Sequence, residues 1–420
     1  MFVFRRDDLP ADPEFQARLD KLGYFINDKD QIRQISDPEQ DFKFKINRNP
    51  RWNERQREVM NACIRDIVLS RLRALGLATL KLPLFSAPGD PQVPVLVSSN
   101  LSTASRVIVV LGEPVQDLAI WAYRSVGAKS IDVGSAVHFA RAVLHPDNSS
   151  RPGTGTNGTA SPHAVPDHSD TDTALILANT GQLIWHCGSQ SAITIQSWLA
   201  LPRASAVDSS LTMSHRNKIP RNGNWQEHID CVFDEIMAPG SRLVSPDAQI
   251  QIVGIADGGL GAIRYLAGRW ETWHTRINAI CLTNPLHFTH LELRTNADVD
   301  VDVDVDVDST AATSPTSPLP ASSFATFIAT RCRAYVLSEE PINMPVPGAA
   351  EHGCNCFASG EALNIECIFP SACDAMLAWL NMTYRDSEFC EAAFEVVEVD
   401  GEDGDMSAGG GVEVISTGSA

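Results

Sequence analysis

Apolar positions along the chain fall into two kinds of pattern, short β-branched runs and longer segments in which they recur every three or four residues. VPVLVSS near residue 94, RVIVVLGEP at 106 to 114, ALILANTG from 174, QIQIVGI at 249 to 255, INAICLTNPLH from 277 and RCRAYVLSEEP from 331 belong to the first kind. They are too brief for helices and too apolar for a wet face, which predicts strands of a buried, mostly parallel sheet. Between them, QDLAIWAYRSV, WQEHIDCVFDEIM and the stretch after Gly258 read as helices. A longer helix opens at Pro50, with Trp52, Val59, Cys63, Ile67 and Leu72 along one face. Strands alternating with helices predict an α/β fold around a doubly wound sheet. Ahead of this, LGYFINDKDQIRQI and DFKFKI, with a turn at Asn27-Asp28, predict a β-hairpin lid.

Two stretches interrupt the alternation. Residues 146 to 172 are rich in Pro, Gly, Ser, Thr, Asn and Asp, and 298 to 322 combine a Val-Asp repeat with a Ser/Pro/Thr/Ala segment. Neither buries enough apolar surface to order itself, so both are expected to be disordered insertions. The spaced aspartates lack the glycine bend that wraps ligands around Ca²⁺, and a tolerated repeat is the simpler reading. The expected organisation is an N-terminal extension over 1–14, one domain over 15–383, and an acidic disordered tail over 384–420.

Charge changes the picture only once it is located. The formal net charge is -19, but six aspartates at 298 to 308 and ten acids against one arginine after residue 384 carry most of it. The remainder is weakly acidic and argues for no basic partner. Residues 42 to 73 reverse the sign, with nine Lys/Arg against three acids. Such a stretch suits weak RNA contact or an acidic partner; with no base-stacking alternation of aromatics evident, a solvated helix face is favoured. The N-terminus MFVFRRDDLP is no signal peptide, and no apolar run reaches membrane-helix length, so an intracellular protein of nucleus or cytoplasm is expected, without membrane contact. Among ten cysteines, Cys354, Cys356, Cys367 and Cys373 cluster, but C-x-C with C-x₅-C departs from paired zinc spacing. Free thiols and no metal or cofactor are expected.

The chemistry-bearing candidate is Gly254-Ile255-Ala256-Asp257-Gly258-Gly259, a strand, a tight turn and a helix start. It fits the G-x-S-x-G nucleophile elbow with a methyl group where the hydroxyl belongs. Shifting the frame by one makes Asp257 the nucleophile, but leaves bulky Ile255 where a small residue is needed. The glycines match neither a P-loop nor G-x-G-x-x-G, so nucleotide binding is a weak alternative. A triad also requires an acid after a late strand and a histidine after the last. Glu339 and Glu340 suit the acid; His352 is a weak candidate for the base, and His287 and His290 follow the wrong strand. Leu111-Gly112-Glu113-Pro114 ends the strand that supplies an oxyanion amide in such enzymes, and Pro114 has none to give.

Taken in order, LGYFINDKDQIRQI, RWNERQREVMNACI, VIVVLGEPVQDLAIWAYRSV, ALILANTGQLIW, NWQEHIDCVFDEI, VGIADGGLGAIRYL and RAYVLSEEPINMPV resemble the Argonaute-binding-protein-two domain family, over roughly 15–297 and 323–383. The resemblance implies an α/β-hydrolase-like fold and membership of the fungal Argonaute siRNA chaperone complex, in heterochromatin silencing. The same domain resembles the C-terminal module of some class II histone deacetylases. Animal relatives carry a serine at the position of Ala256 and a histidine near Asn364. The expectation is therefore a non-catalytic scaffold with an Argonaute-type partner. The alternative is an esterase-like hydrolase using Asp257 or a pocket serine such as Ser359.

Overall fold

The computed structural model describes residues 9–146, 172–293, 323–398 and 412–416. The insertions expected at 146–172 and 298–322 lie outside these residues except for Pro146 and Asp172. The chain gathers into two compact units, Met1–Ala248 and Gln249–Ala420, dividing just before the elbow strand.

The first unit begins with a short helix α1 (Leu19–Leu22) and the hairpin β1 (Tyr24–Ile26) and β2 (Ile32–Gln34), paired antiparallel with Tyr24 opposite Gln34. The hairpin turn does not swing free. The Asp30 carboxylate takes both Arg71 guanidinium nitrogens, at 2.9 and 2.7 Å, and the amide of Asp132. Helix α2 (Pro50–Ala74) carries Arg71 and buries Val59, Met60, Cys63, Ile64, Val68 and Leu72. Trp52, predicted for that face, is 38% exposed. The buried place in the first turn goes to Arg51, because Asp12 and Glu54 neutralise it there.

Strands β3 (Leu77–Leu82), β4 (Val93–Ser98), β5 (Arg106–Leu111) and β6 (Thr173–Leu177) form a sheet in the order β5-β6-β4-β3. Every residue of β5 is buried and it runs parallel to β6, as its unbroken apolar run requires. The helix predicted over QDLAIWAYRSV is shorter than expected: α3 covers only Tyr123–Ala128, followed by α4 (Ala136–Leu144). Residues before Tyr123 are held as a loop, with Ala119 at φ 64° and Asp117 accepting from Arg65, Tyr123 and Gln182. A small hairpin, β7 (Ile184–His186) and β8 (Ser191–Ile193), helix α5 (Ile195–Leu199), and α6 (Trp225–Cys231) running into a π-helical turn at Val232–Met237 complete the unit. The described part of the N-terminal extension packs here, with the Pro10 carbonyl accepting from the Ala206 amide and Ser205 hydroxyl.

The second unit follows the βα rule closely. Strands β9 (Gln249–Ile255), β10 (Ile277–Thr283), β11 (Cys332–Val336) and β13 (Asn355–Ala358) are parallel, and the two-residue β12 (Pro345–Val346) adds antiparallel at the rim, in the order β12-β13-β11-β10-β9. RCRAYVLSEEP is therefore not the last strand of the sheet. Its helices are α7 (Asp257–Ala267), α8 (Trp270–Trp273), α9 (Thr289–Glu292), α10 (Phe324–Arg331), α11 (Ala349–His352) and α12 (Ile368–Arg385).

The segment expected to be an unstructured tail is partly ordered. Arg331 donates to the carbonyls of Ser387 and Phe389, and Glu391 pairs with Arg333 at 2.6 Å and accepts from the Trp379 indole. Strands β14 (Phe394–Glu398) and β15 (Val412–Ser416) then pair antiparallel. An acidic residue counted as solvent-seeking in the sequence is here a buried partner for two side chains. All ten cysteines are free thiols, and burial pushes the Cys373 thiol up to about 12. Among the described residues, no helix is long and apolar enough to cross a membrane.

Candidate functional site

The strand β9 runs into α7 through Ala256, whose backbone sits at φ 47°, ψ −116°, a conformation L-residues avoid. Two features of the sequence force it. A Cβ on Gly254 would lie 2.4 Å from the Gly259 Cα, and a Cβ on Gly259 would lie 2.9 Å from Leu282 Cδ2, so strand and helix approach as closely as two glycines permit. The strained residue is then pinned from both sides: its amide donates to the Thr283 carbonyl of β10 at 2.9 Å, and its carbonyl accepts from the Leu260 amide at 3.1 Å.

This geometry decides between the two frames left open by the sequence. The apex of the turn is Ala256, and Asp257 is the first residue of the helix. The backbone is that of a nucleophile elbow. The side chain at its apex is a methyl group, 5% exposed.

The other candidates are not assembled around it. Glu339 and Glu340 are exposed in the loop after β11. His352 ends α11, with its Nδ1 2.8 Å from the His287 carbonyl. His287 returns the contact, Nε2 to the His352 carbonyl at 2.7 Å. The two rings stitch the loop after β10 to α11, and burial holds the His287 imidazole below its ordinary pKa, so it is neutral. His290 is exposed and packs on Phe288. Among the described residues, Asp257, Glu339, Glu340 and His352 share no hydrogen bond or ion pair.

Ser359, the alternative nucleophile, is fully buried and closes its own turn, with its hydroxyl accepting from the Glu361 amide at 3.3 Å. Asn364, where the family resemblance places a histidine, donates its side-chain amide to Glu361 Oε1 at 3.1 Å, and the same oxygen accepts from the Asn364 amide at 3.0 Å. Sequence reasoning missed this hook, although a glutamate three residues before an asparagine is its signal.

The loop after β5, described within the first unit, is a closed polar knot. Gly112, Glu113, Asp117, Ala119, Asn179 and Thr180 line a small cavity. Thr180 Oγ1 donates to the Glu113 carbonyl at 3.1 Å. Burial, then the adjacent Asp117, pushes the Tyr123 phenol well above its ordinary value, so it donates to Asp117 as a neutral hydroxyl.

The family model described as the Arb2 domain matches residues 15–300. The chain belongs to that family. None of the curated proteins matches it. Among solved structures, a candidate hydrolase from Bacillus subtilis is similar at 11% identity and TM-score 0.32, over 77% of this chain and 98% of that one. A bacterial heroin esterase is similar at 9% identity and TM-score 0.28, over 77% and 91%. The match covers the glycine elbow, so the strained turn at Ala256 lies inside the Arb2 domain itself. Ser359, Asn364 and His352 lie beyond the matched residues.

Proposed function

We propose that this Arb2 domain protein is non-catalytic and acts as a protein-binding scaffold, in small-RNA-directed silencing with an Argonaute-type partner. The observation that carries the non-catalytic reading is the apex of the elbow, where the strained backbone is kept and Ala256 offers no nucleophile. Acyl transfer needs an activated side-chain nucleophile with a base in hydrogen-bond reach. Neither Asp257 at the helix start nor Ser359 in its own turn has a histidine partner among the described residues. A scaffold role is supported by exposed apolar side chains in the segments before β12 and after β13: Ile342, Met344, Leu363 and Ile365 are 43%, 46%, 81% and 44% exposed.

The test has two arms. A fluorophosphonate probe is expected to leave the protein unlabelled, and stoichiometric labelling at a serine overturns the non-catalytic reading. The partner is tested by mixing the purified chain with the Argonaute-type protein of its own organism. Co-elution is expected, and independent elution at micromolar concentrations overturns the silencing assignment.

A further inference from the structure

We infer that the surface formed by residues 43 to 57 binds single-stranded nucleic acid, through four unpaired cations and two exposed aromatic rings. The basic stretch divides into two populations. Arg51 is bound by Asp12 at 2.6 and 2.8 Å, by Glu54, and by the carbonyls of Leu199 and Leu201. Arg55 donates to the carbonyls of Ala200 and Pro13. These two fasten the helix to neighbouring chain. Lys43, Lys45, Arg48 and Arg57 are different: all four are exposed and none has an ion pair or hydrogen-bonded side chain among the described residues.

The aromatic component lies among them. Phe44 is 47% exposed with the Arg57 guanidinium 5.4 Å from its ring centre, and Phe42 supports it edge-on at 4.8 Å. Trp52 is 38% exposed and braced by Phe15 at 5.8 Å. The loop bearing Phe44 is fixed to α2 by Asn53, whose side chain accepts from the amides of Ile46 and Asn47 at 2.8 and 2.9 Å and donates to the Asn47 carbonyl. The first turn of α2 carries no opposing charge beyond Glu54, which is committed to Arg51.

Exposed cations interleaved along residues 43 to 57 with two exposed rings, Arg57 standing over one of them, fit a chain that offers phosphates and bases together. In a duplex the bases are stacked inward and cannot reach Phe44 or Trp52, whereas a single strand can lay them on the rings. An acidic peptide satisfies the cations and leaves the rings without a specific role. This inference is independent of the scaffold reading, since it involves none of the elbow residues.

The experiment is fluorescence anisotropy of the full chain with a labelled oligouridine, a duplex RNA of equal length and a polyglutamate peptide of equal charge. The single strand is expected to bind best, with log K falling against log salt at a slope of about −3 for four phosphate contacts. Phe44→Ala and Trp52→Ala are each expected to weaken it about tenfold, and Lys43→Glu with Arg48→Glu to abolish it, while thermal melting of each variant stays at the parent value. Equal or tighter binding of duplex or polyglutamate, parental affinity of both ring variants, or no binding of the single strand at low salt overturns the proposal.

Discussion

The turn at Gly254–Gly259 and the surface at residues 43–57 differ in what their neighbours leave available. At the turn every constraint is satisfied internally: Ala256 is bonded front and back, and the two glycines touch. A strained backbone persists there with no reactive atom to justify it. At the surface the reverse holds, with Lys43, Lys45, Arg48 and Arg57 unpaired beside rings that water touches. Buried strain is evidence of architecture, because neighbours over-determine it. Exposed, unpaired charge beside preorganised rings is what a ligand site requires, because nothing in the fold consumes it.

The largest effect that tests this contrast is Gly254→Ala. Its methyl group would lie 2.4 Å from the Gly259 Cα and 3.0 Å from its nitrogen, backbone that cannot swing aside as the Leu282 side chain at 2.9 Å can. A loss of about 4 kcal/mol is expected, or failure to fold, read by denaturant titration. A change under 1 kcal/mol means that strand and helix are free to separate. Next is Arg51→Ala, which strands Asp12 and the carbonyls of Leu199 and Leu201 and is expected to cost about 3 kcal/mol. Arg48→Ala, three residues away and exposed, should change stability by no more than about 0.5 kcal/mol. If the two arginines behave alike, the division of the basic stretch into fastening and free cations fails.

Burial without charge has its own signature in the first unit. His228 is fully buried, its Nε2 accepting from the Asn179 amide and its Nδ1 donating to Asn222, and burial pushes its pKa down to about 3. The unfolded chain binds this proton near pH 6.5, so between pH 6.5 and 3 it holds more protons than the folded one. Stability contributed by neutral His228 is complete above pH 6.5 and is lost as pH falls, by about 2 kcal/mol between pH 6.5 and 5. Urea midpoints across that range should show the slope in the parent and a flatter one in His228→Gln. Parallel slopes would assign the acid sensitivity elsewhere.

What the sequence made legible follows the same division. Strands with unbroken apolar runs and the Gly254–Gly259 turn were readable, since a buried parallel strand admits little else and only glycine tolerates that approach. The apex frame was readable as a choice between two, and backbone geometry settled it on Ala256. Less legible were features made by partners distant in sequence. Trp52 was assigned to the core because its spacing fits the stripe, but Asp12 brings Arg51 into that place instead. Glu391 looked like tail acidity until Arg333 and Trp379 claimed it. Phe44 within DFKFKI and Trp52 on the helix face were each visible but were not joined to the basic stretch, because one belongs to a loop and the other to a helix and no single period links them. Of the triad candidates, His352 was identifiable as a histidine in a loop region, whereas its reciprocal bonding with His287 across 65 residues was not.

The smallest expected effect has the opposite sign and bears most directly on the meaning of the elbow. At φ 47°, ψ −116° the Ala256 methyl group makes the backbone costly, by about 1–3 kcal/mol. Glycine removes that cost but adds about 0.5–1 kcal/mol of unfolded-state entropy to be lost on folding. Ala256→Gly is therefore expected to stabilise the protein by about 1 kcal/mol, seen as a raised denaturant midpoint with unchanged m. Ala256→Ser restores the hydroxyl without relieving the backbone, so its stability should match the parent within about 0.5 kcal/mol, and a fluorophosphonate should still leave it unlabelled, since among the described residues His287 and His352 are held by each other's carbonyls. Labelling of the serine variant would mean that one atom is all the elbow lacks. A destabilised glycine variant would mean that the turn is not strained at all, and its resemblance to a nucleophile elbow would lose its physical content.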